Sequence, residues 1–194
     1  MNIKIILASG SPRRRQLLEQ AGIPHTVLVS DADETVTGAP DAQVEELALR
    51  KAKATLPLLQ TPAENAIIIA ADTLVYIGGQ VLGKPATPQE AFAMLSKLQG
   101  NTHQVYTGVA LLHGSHHTVF HEMAEVTFRP LSPAEIDAYI ATGEPFDKAG
   151  AYGIQERGSV LVSRINGDFY TVMGLPIAGV CTALMEMGYK YWQN

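Results

Sequence analysis

The first twenty residues fit a strand, a tight turn and a helix start together, and that order commits the chain to an α/β beginning. The apolar run Ile3 to Leu7 reads as a buried strand. Ser9, Gly10 and Ser11 make the turn, and Pro12 to Ala21 reads as a helix closed by Gly22. Ser11 suits the N-cap and Pro12 the first helical position. Three arginines, Arg13, Arg14 and Arg15, then fall in the first helical turn, where positive charge opposes the helix dipole. Two readings follow. Backbone N–H groups, hydroxyls and guanidinium forks suit an anion such as phosphate. A capped surface helix with solvated arginines needs no ligand.

The rest of the chain mixes crossover helices with long hairpins. His25–Ser30 reads as a second strand, and residues 31–40 as a polar, acidic loop. In a helix over Ala42–Leu59, Val44, Leu47, Ala48, Ala52 and Thr55 share one face; Glu46, Arg50 and Lys53 share the other, and Pro57 ends it. Ala66–Ile77 is a strongly apolar strand running into the turn Gly78-Gly79, with Val81–Gly83 returning. Thr87 caps a helix over Pro88–Leu98. Thr102–His113 and Thr118–Arg129 form a hairpin around residues 113–117. Ser132-Pro133-Ala134-Glu135 matches a capping box. Asp147–Gly158 is glycine-rich and irregular, Ser159–Arg164 and Asp168–Val172 read as strands joined at Asn166-Gly167, and Pro176–Met187 as a last helix. This order predicts α/β architecture with a mixed sheet bent into two lobes.

Composition narrows the classes of function. The 194 residues allow one domain with a sizeable core, and 17% charged residues argue against disorder. A net charge of −5 disfavours broad binding to nucleic acid or to an acidic membrane, so an anion site must be local. The single cysteine, Cys181, excludes an intrachain disulfide and fits a reducing cytoplasm. No apolar run approaches the length of a membrane span, and the first residues lack a signal-peptide pattern.

Asp72 is the sole charge in Ile67–Val75. A carboxylate in such a run is costly unless it is paired, holds a metal or faces a cleft, so it is either functional or a structural acid satisfied by Arg or backbone N–H. Lys84 follows the hairpin and either reaches the same cleft or is solvated. Asp33 and Glu34 either ligate a metal or solubilise their loop; Lys53 alone reads as a surface lysine. In residues 147–155, Gly and Ala allow close backbone approach to a ligand, and Gln155 offers an amide suited to a base edge; a plain glycine-rich connection is the alternative. The histidines show no metal spacing, and no Walker A, HExxH or GxSxG pattern occurs. Arginines at a helix start, scattered lysines and acids on a strand and a loop suit a polyphosphate with a divalent cation, with Mg²⁺ taking one or two carboxylates plus phosphate oxygens. The matching chemistry is hydrolysis at phosphorus.

Together these segments resemble the Maf family of nucleoside triphosphate pyrophosphatases. The resemblance rests on Ala8-Ser9-Gly10-Ser11-Pro12-Arg13-Arg14, Asp33-Glu34, Lys51-Ala52-Lys53, Ala71-Asp72-Thr73, Leu82-Gly83-Lys84-Pro85, Asp147 to Gln155 and Gly174-Leu175-Pro176, in this order over nearly the whole chain. It implies a Maf/ITPase-like α/β fold: one domain over 1–194, with a mixed, bent β-sheet flanked by helices and two lobes around a deep cleft. It also implies a divalent metal (Mg or Mn), a cytoplasmic setting and a homodimer. The implied roles are Asp72 as proton acceptor, Ser9, Arg13, Arg14, Lys53 and Lys84 as triphosphate contacts, and Glu34 as an acid near the metal, which it shares with Asp72. Arg13, Thr73 and Gln155 resemble the branch acting on dTTP and UTP; the branch acting on 7-methyl-GTP carries Trp, Gln and Glu there. Glu156, and Tyr170 to Met173, depart from the family pattern. Modified pyrimidine nucleotides or 7-methyl-GTP as substrates, and a nucleotide-sensing role in septum formation, are the alternatives that the resemblance leaves.

Overall fold

A computed structural model describes residues 3–190 and 192 of the chain. The elements are β1 (Lys4–Leu7), α1 (Pro12–Gln20), β2 (His25–Val27), α2 (Pro40–Thr55), β3 (Ala66–Ile77), β4 (Gln80–Leu82), α3 (Pro88–Leu98), β5 (Thr102–His113), β6 (His116–Phe128), α4 (Pro133–Ile140), β7 (Val162–Asn166), α5 (Phe169–Met173) and α6 (Ile177–Glu186). The strands join in the order β2-β1-β3-β5-β6-β7, with β4 also paired to β3. β1 is parallel to both β2 and β3, whereas β3–β4 and β6–β7 are antiparallel. The expected α/β class with a mixed sheet and flanking helices is therefore what the chain adopts.

The chain divides into two compact units. One comprises Met1–Asp72, Thr107–Glu122 and Gly174–Asn194; the other comprises Thr73–Tyr106 and Met123–Met173. In the first, α2 lays its apolar stripe over the sheet. Ala48 and Ala52 pack with Ile6 of β1 and the adjoining Ala8, with Ala66, Ile68 and Ala70 of β3, and with Ala110 and Leu112 of β5. Small residues let the helix lie close. At Gly108 any Cβ would come within 2.3 Å of the Val44 carbonyl, so only glycine admits α2 at that distance. In the second unit, Ala91, Leu95 and Leu98 of α3 and Ile136, Tyr139 and Ile140 of α4 share a core with Val75, Val105, Val126 and Phe128.

Several boundaries differ from the sequence reading for identifiable reasons. Asp168–Val172 is not a strand. The Asp168 carboxylate accepts from the backbone N–H groups of Tyr170 and Thr171 at 3.2 and 2.9 Å, which starts α5. Residues Arg157–Leu161 make a 3₁₀ turn, so β7 begins only at Val162. α2 stops at Thr55 and tightens into a 3₁₀ turn over Leu56–Leu58, with Pro57 inside it. His116 lies at the start of β6, leaving Gly114 and Ser115 as the turn. Thr87 caps α3, and the Ser132–Glu135 capping box opens α4, as read from sequence.

His103 is 1% exposed in the second unit. Its Nε2 meets the Tyr152 hydroxyl at 2.8 Å, and Phe128 and Tyr152 stack edge-on against its ring. Nδ1 has no partner among the described residues. Burial pushes this imidazole down from 6.5 to about 4. The unfolded chain therefore takes up a proton that the folded chain refuses as pH falls from 6.5 towards 4. The stability that His103 confers is complete above that window and declines through it, by roughly 3 kcal/mol at the lower end. Urea midpoints at pH 7 and pH 4.5 should show this loss in the native chain and a smaller one in His103→Asn.

Candidate functional site

The sheet order itself marks a place for a ligand. From β1 the chain leaves through α1 to β2 on one side and returns through α2 to β3 on the other. The carboxyl end of β1 thus lies at a point where connections diverge, beside the middle of β3, and such points are where open α/β sheets bind ligands. Leu7 pairs with Ile69, and the Ala8 N–H donates to the Ile69 carbonyl at 2.8 Å. The Ser9–Ser11 turn and residues 70–72 of β3 extend beyond that register.

Alternation along β3 then decides where Asp72 points. Ala66, Ile68 and Ala70 face the α2 stripe, so Asp72 continues the same face one step past the apolar contacts. It meets Lys51. The Nζ atom donates to Asp72 Oδ1 at 2.6 Å and lies 2.8 Å from Glu34 Oε1. Lys51 and Asp72 are 18% and 16% exposed, while Glu34 is 67% exposed. One ammonium therefore joins a sheltered acid to an outer one. Its helix position is braced in turn: the Thr55 and Ser30 hydroxyls donate to the Lys51 carbonyl at 2.9 and 3.3 Å.

The loop that carries Glu34 is tied to α2. Arg50 Nη1 donates to the Thr35 carbonyl at 2.7 Å and to the Asp33 carbonyl at 3.4 Å, on either side of Glu34. Arg50 Nε is paired with Glu46 at 2.8 Å. The Thr35 N–H donates to the Asp33 carboxylate at 2.9 Å. That hydrogen bond holds Asp33 below its ordinary range. Asp33 is thus spent on its own turn, and Glu34 is the member of the pair presented to Lys51.

Arginine completes this unit. Arg14 Nη1 donates to Ser9 Oγ at 3.0 Å, and Arg14 Nε donates to the Gly174 carbonyl at 2.7 Å. Burial lowers Arg14 from its ordinary value; neighbouring Asp72 opposes that shift, Arg13 adds to it and Glu34 opposes it, so all four charges share one field. Ser11 occupies the N-cap position of α1, but its side chain makes no capping bond. Instead its N–H donates to Ser9 Oγ at 3.3 Å, so Ser9 is the hydroxyl that organises the turn. Arg15 is exposed and lines a surface hollow with Glu19 and His25.

Ser9, Arg13, Arg14, Glu34 and Asp72 are thus gathered in one unit. Lys53 is not brought to the acids. Residues two apart on a helix point to opposite sides, and Lys53 is exposed where Lys51 is half-buried. Lys51 carries a signal of its own: it stands on the stripe of Leu47, Ala48 and Thr55, three or four residues from each, and a charge there demands a buried partner. Among the described residues, the hydrogen-bond partner of Asp72 is accordingly a lysine, with Arg14 acting on it only through the shared field. Thr73, Lys84 and Gln155 belong to the second unit. Thr73 and Gln155 are half-buried, and Lys84 is exposed. The glycines of residues 147–158 serve internal packing: a Cβ on Gly153 would strike the Lys148 side chain at 2.6 Å, and one on Gly150 would strike Val75 at 2.8 Å.

Two carboxylates already share one cationic point, Lys51 Nζ. No set of three or more His, Cys, Asp or Glu side chains fit to hold a metal occurs among the described residues. Those residues therefore build no protein-only metal cage. The donor set does fit a magnesium-like ion, which binds through one or two carboxylates and takes its other oxygens from phosphates. Glu34 and Asp72 are the residues that would hold it.

A family model described as Maf-like protein matches residues 4–187. The chain is 51% identical over 188 residues to a dTTP/UTP pyrophosphatase of Halalkalibacterium halodurans, covering 96% of this chain and 97% of the relative. It is 49% identical over 193 residues to a dTTP/UTP pyrophosphatase of Moorella thermoacetica, covering 97% of each. A solved HAM1 protein from Coxiella burnetii shares the fold, with a TM-score of 0.53 and 15% identity over 95% of this chain and 99% of that one. No helix among the described residues is long and apolar enough to cross a membrane.

Removing the shared cation should cost stability because it strands a sheltered carboxylate. Lys51→Met should lower the unfolding free energy at pH 7 by about 1–3 kcal/mol, and adding Asp72→Asn should recover part of the loss. Urea unfolding of the two single variants and the double variant checks both statements.

Proposed function

Because the chain belongs to the Maf-like protein family, we propose that it hydrolyses dTTP and UTP to the nucleoside monophosphate and pyrophosphate. The observation that carries this reading is the acid pair bridged by Lys51 in the same unit as the Ser9–Arg14 turn. The relatives named above supply the substrate. A cluster of guanidinium, ammonium and hydroxyl donors beside two carboxylates suits a polyphosphate and a nucleophilic water.

The residues divide the work as follows. Asp72 Oδ1 is held by Lys51, which leaves Oδ2 to take the proton from water. The water oxygen attacks the α-phosphorus, the bond to the bridging oxygen of the β-phosphate breaks, and pyrophosphate leaves. Arg14, oriented by Ser9 and the Gly174 carbonyl, offers a fixed guanidinium to phosphate oxygens. Arg13 adds charge in the same field. On α2 we assign the substrate-side lysine to Lys51 rather than Lys53, since Lys51 alone of the two reaches the acids. Lys51 also offsets acid charge that would repel a triphosphate. A divalent cation held by Glu34 and Asp72 would stabilise the negative charge on the reacting phosphates. By resemblance, Lys84 contacts phosphate, and Arg13, Thr73 and Gln155 select the pyrimidine nucleotide. A homodimer in the cytoplasm belongs to the same proposal and rests on the resemblance.

Incubation with dTTP, UTP and 7-methyl-GTP, with Mg²⁺ or Mn²⁺, should yield dTMP, UMP and pyrophosphate, with little turnover of 7-methyl-GTP. Chelation should abolish the reaction. Asp72→Asn should lower kcat by about 10²-fold or more while nucleotide binding persists. Nucleoside diphosphate and orthophosphate as products would contradict the bond assignment, and full turnover by Asp72→Asn would remove Asp72 from its role.

A further inference from the structure

In the second unit one carboxylate ties down the segment that carries Gln155. Glu144 Oε1 accepts from the Tyr139 hydroxyl at 2.9 Å and from the Gly158 N–H at 3.1 Å, and Oε2 accepts from the Arg157 N–H at 3.0 Å. The Tyr139 oxygen in turn accepts from the Gly153 N–H at 3.2 Å. Burial above all raises the Tyr139 hydroxyl from its ordinary value, so it stays a donor to Glu144. Residues 153 and 157–158 are therefore fastened to one tyrosine–glutamate pair, and Gln155 sits between the fastenings.

Packing closes the same loop. A Cβ on Gly158 would lie 2.3 Å from the Gly153 carbonyl oxygen and 2.7 Å from the Tyr139 hydroxyl. A Cβ on Gly153 would meet the Lys148 stem at 2.6 Å and Glu144 Oε1 at 3.1 Å. Lys148 is itself buried, with Nζ donating to the Glu144 carbonyl at 2.8 Å and to Asp147 at 2.6 Å. The two ends of the loop thus touch, and the groups beneath them are fixed by hydrogen bonds, of which the one from Gly153 N–H to Tyr139 is buried. The loop itself contains no regular element before the 3₁₀ turn at Arg157. Its shape depends on the pair below it.

We propose that Tyr139 and Glu144 are positioning residues for nucleotide selection: they fix the Gly153–Gly158 loop so that Gln155 meets the pyrimidine edge in one orientation. This rests on the reading that Gln155 contacts the base. The pair touches neither phosphate nor base in this role. It acts by restricting the loop, since an amide that samples many orientations discriminates poorly between base edges.

The test compares kcat/KM for dTTP, UTP, CTP and ATP in the native chain, Gln155→Ala, Tyr139→Phe and the double variant Tyr139→Phe with Gln155→Ala. Tyr139→Phe keeps the ring and removes only the hydroxyl. It should lower the preference for dTTP over ATP by about fivefold to tenfold, the worth of one hydrogen bond. The loss should fall on KM for dTTP rather than on kcat, and the double variant should lose no more preference than Gln155→Ala alone. In the nucleotide-free protein, the Gly153 amide should exchange with solvent faster in Tyr139→Phe. Glu144→Gln, where it folds, should act in the same direction. If Gln155→Ala shifts preference while Tyr139→Phe keeps the native preference, or slows all four nucleotides equally, the positioning role is overturned and the activity reading stands. If Gln155→Ala leaves preference unchanged, or the native chain does not hydrolyse dTTP, the reading beneath the inference fails and the inference falls with it.

Discussion

The Lys51 ammonium between Asp72 and Glu34 is the constraint on which the rest of the site depends. A carboxylate at the end of an apolar strand face is tolerable only with a partner, and a lysine on an apolar helix stripe is equally dependent. Each resolves the other's cost. Their meeting requires α2 to lie flat on β3, which the alanines of both elements and Gly108 of β5 permit. Larger residues in that contact would lift the helix and part the pair. The electrostatics of the site and the packing of the core are therefore one design.

The topology places the other parts around this pair. Parallel pairing of β1 with β3 brings the Ser9 turn beside the end of the Asp72 face, and the crossover through α2 carries Lys51 back over it. Arg50 fastens the loop bearing Glu34 through backbone carbonyls, so that an exposed acid is held by a group that does not compete for its charge. Arg14 is fixed at both ends of its guanidinium, by Ser9 and by the Gly174 carbonyl. In the proposed reaction a phosphate would meet donors already oriented there, which spares the entropy of arranging them.

Much of this was legible in the residues. β3 and α3 begin and end where the continuous apolar run, the Gly78-Gly79 turn and the Thr87 cap put them. Asp72 stood out because one charge interrupts nine apolar-rich positions. Lys51 is less conspicuous, because Lys53 shares the charged face of α2 with Glu46 and Arg50; the position of Lys51 on the apolar stripe is the signal in the sequence. Phe169, Tyr170, Thr171 and Val172 all favour strands, and the Asp168 carboxylate, accepting from the Tyr170 and Thr171 N–H groups, outweighs those propensities at α5. The clamp on residues 153–158 had no sequence signal, since Glu144 and Tyr139 reach it only through tertiary packing.

The central claim is that this acid pair delivers water to the α-phosphorus of a nucleoside triphosphate. Hydrolysis of dTTP in ¹⁸O-enriched water tests it most directly, with mass spectrometry of both products. The account predicts one heavy oxygen in dTMP and none in pyrophosphate. Heavy oxygen in pyrophosphate with unlabelled dTMP would place the attack at the β-phosphorus and contradict it.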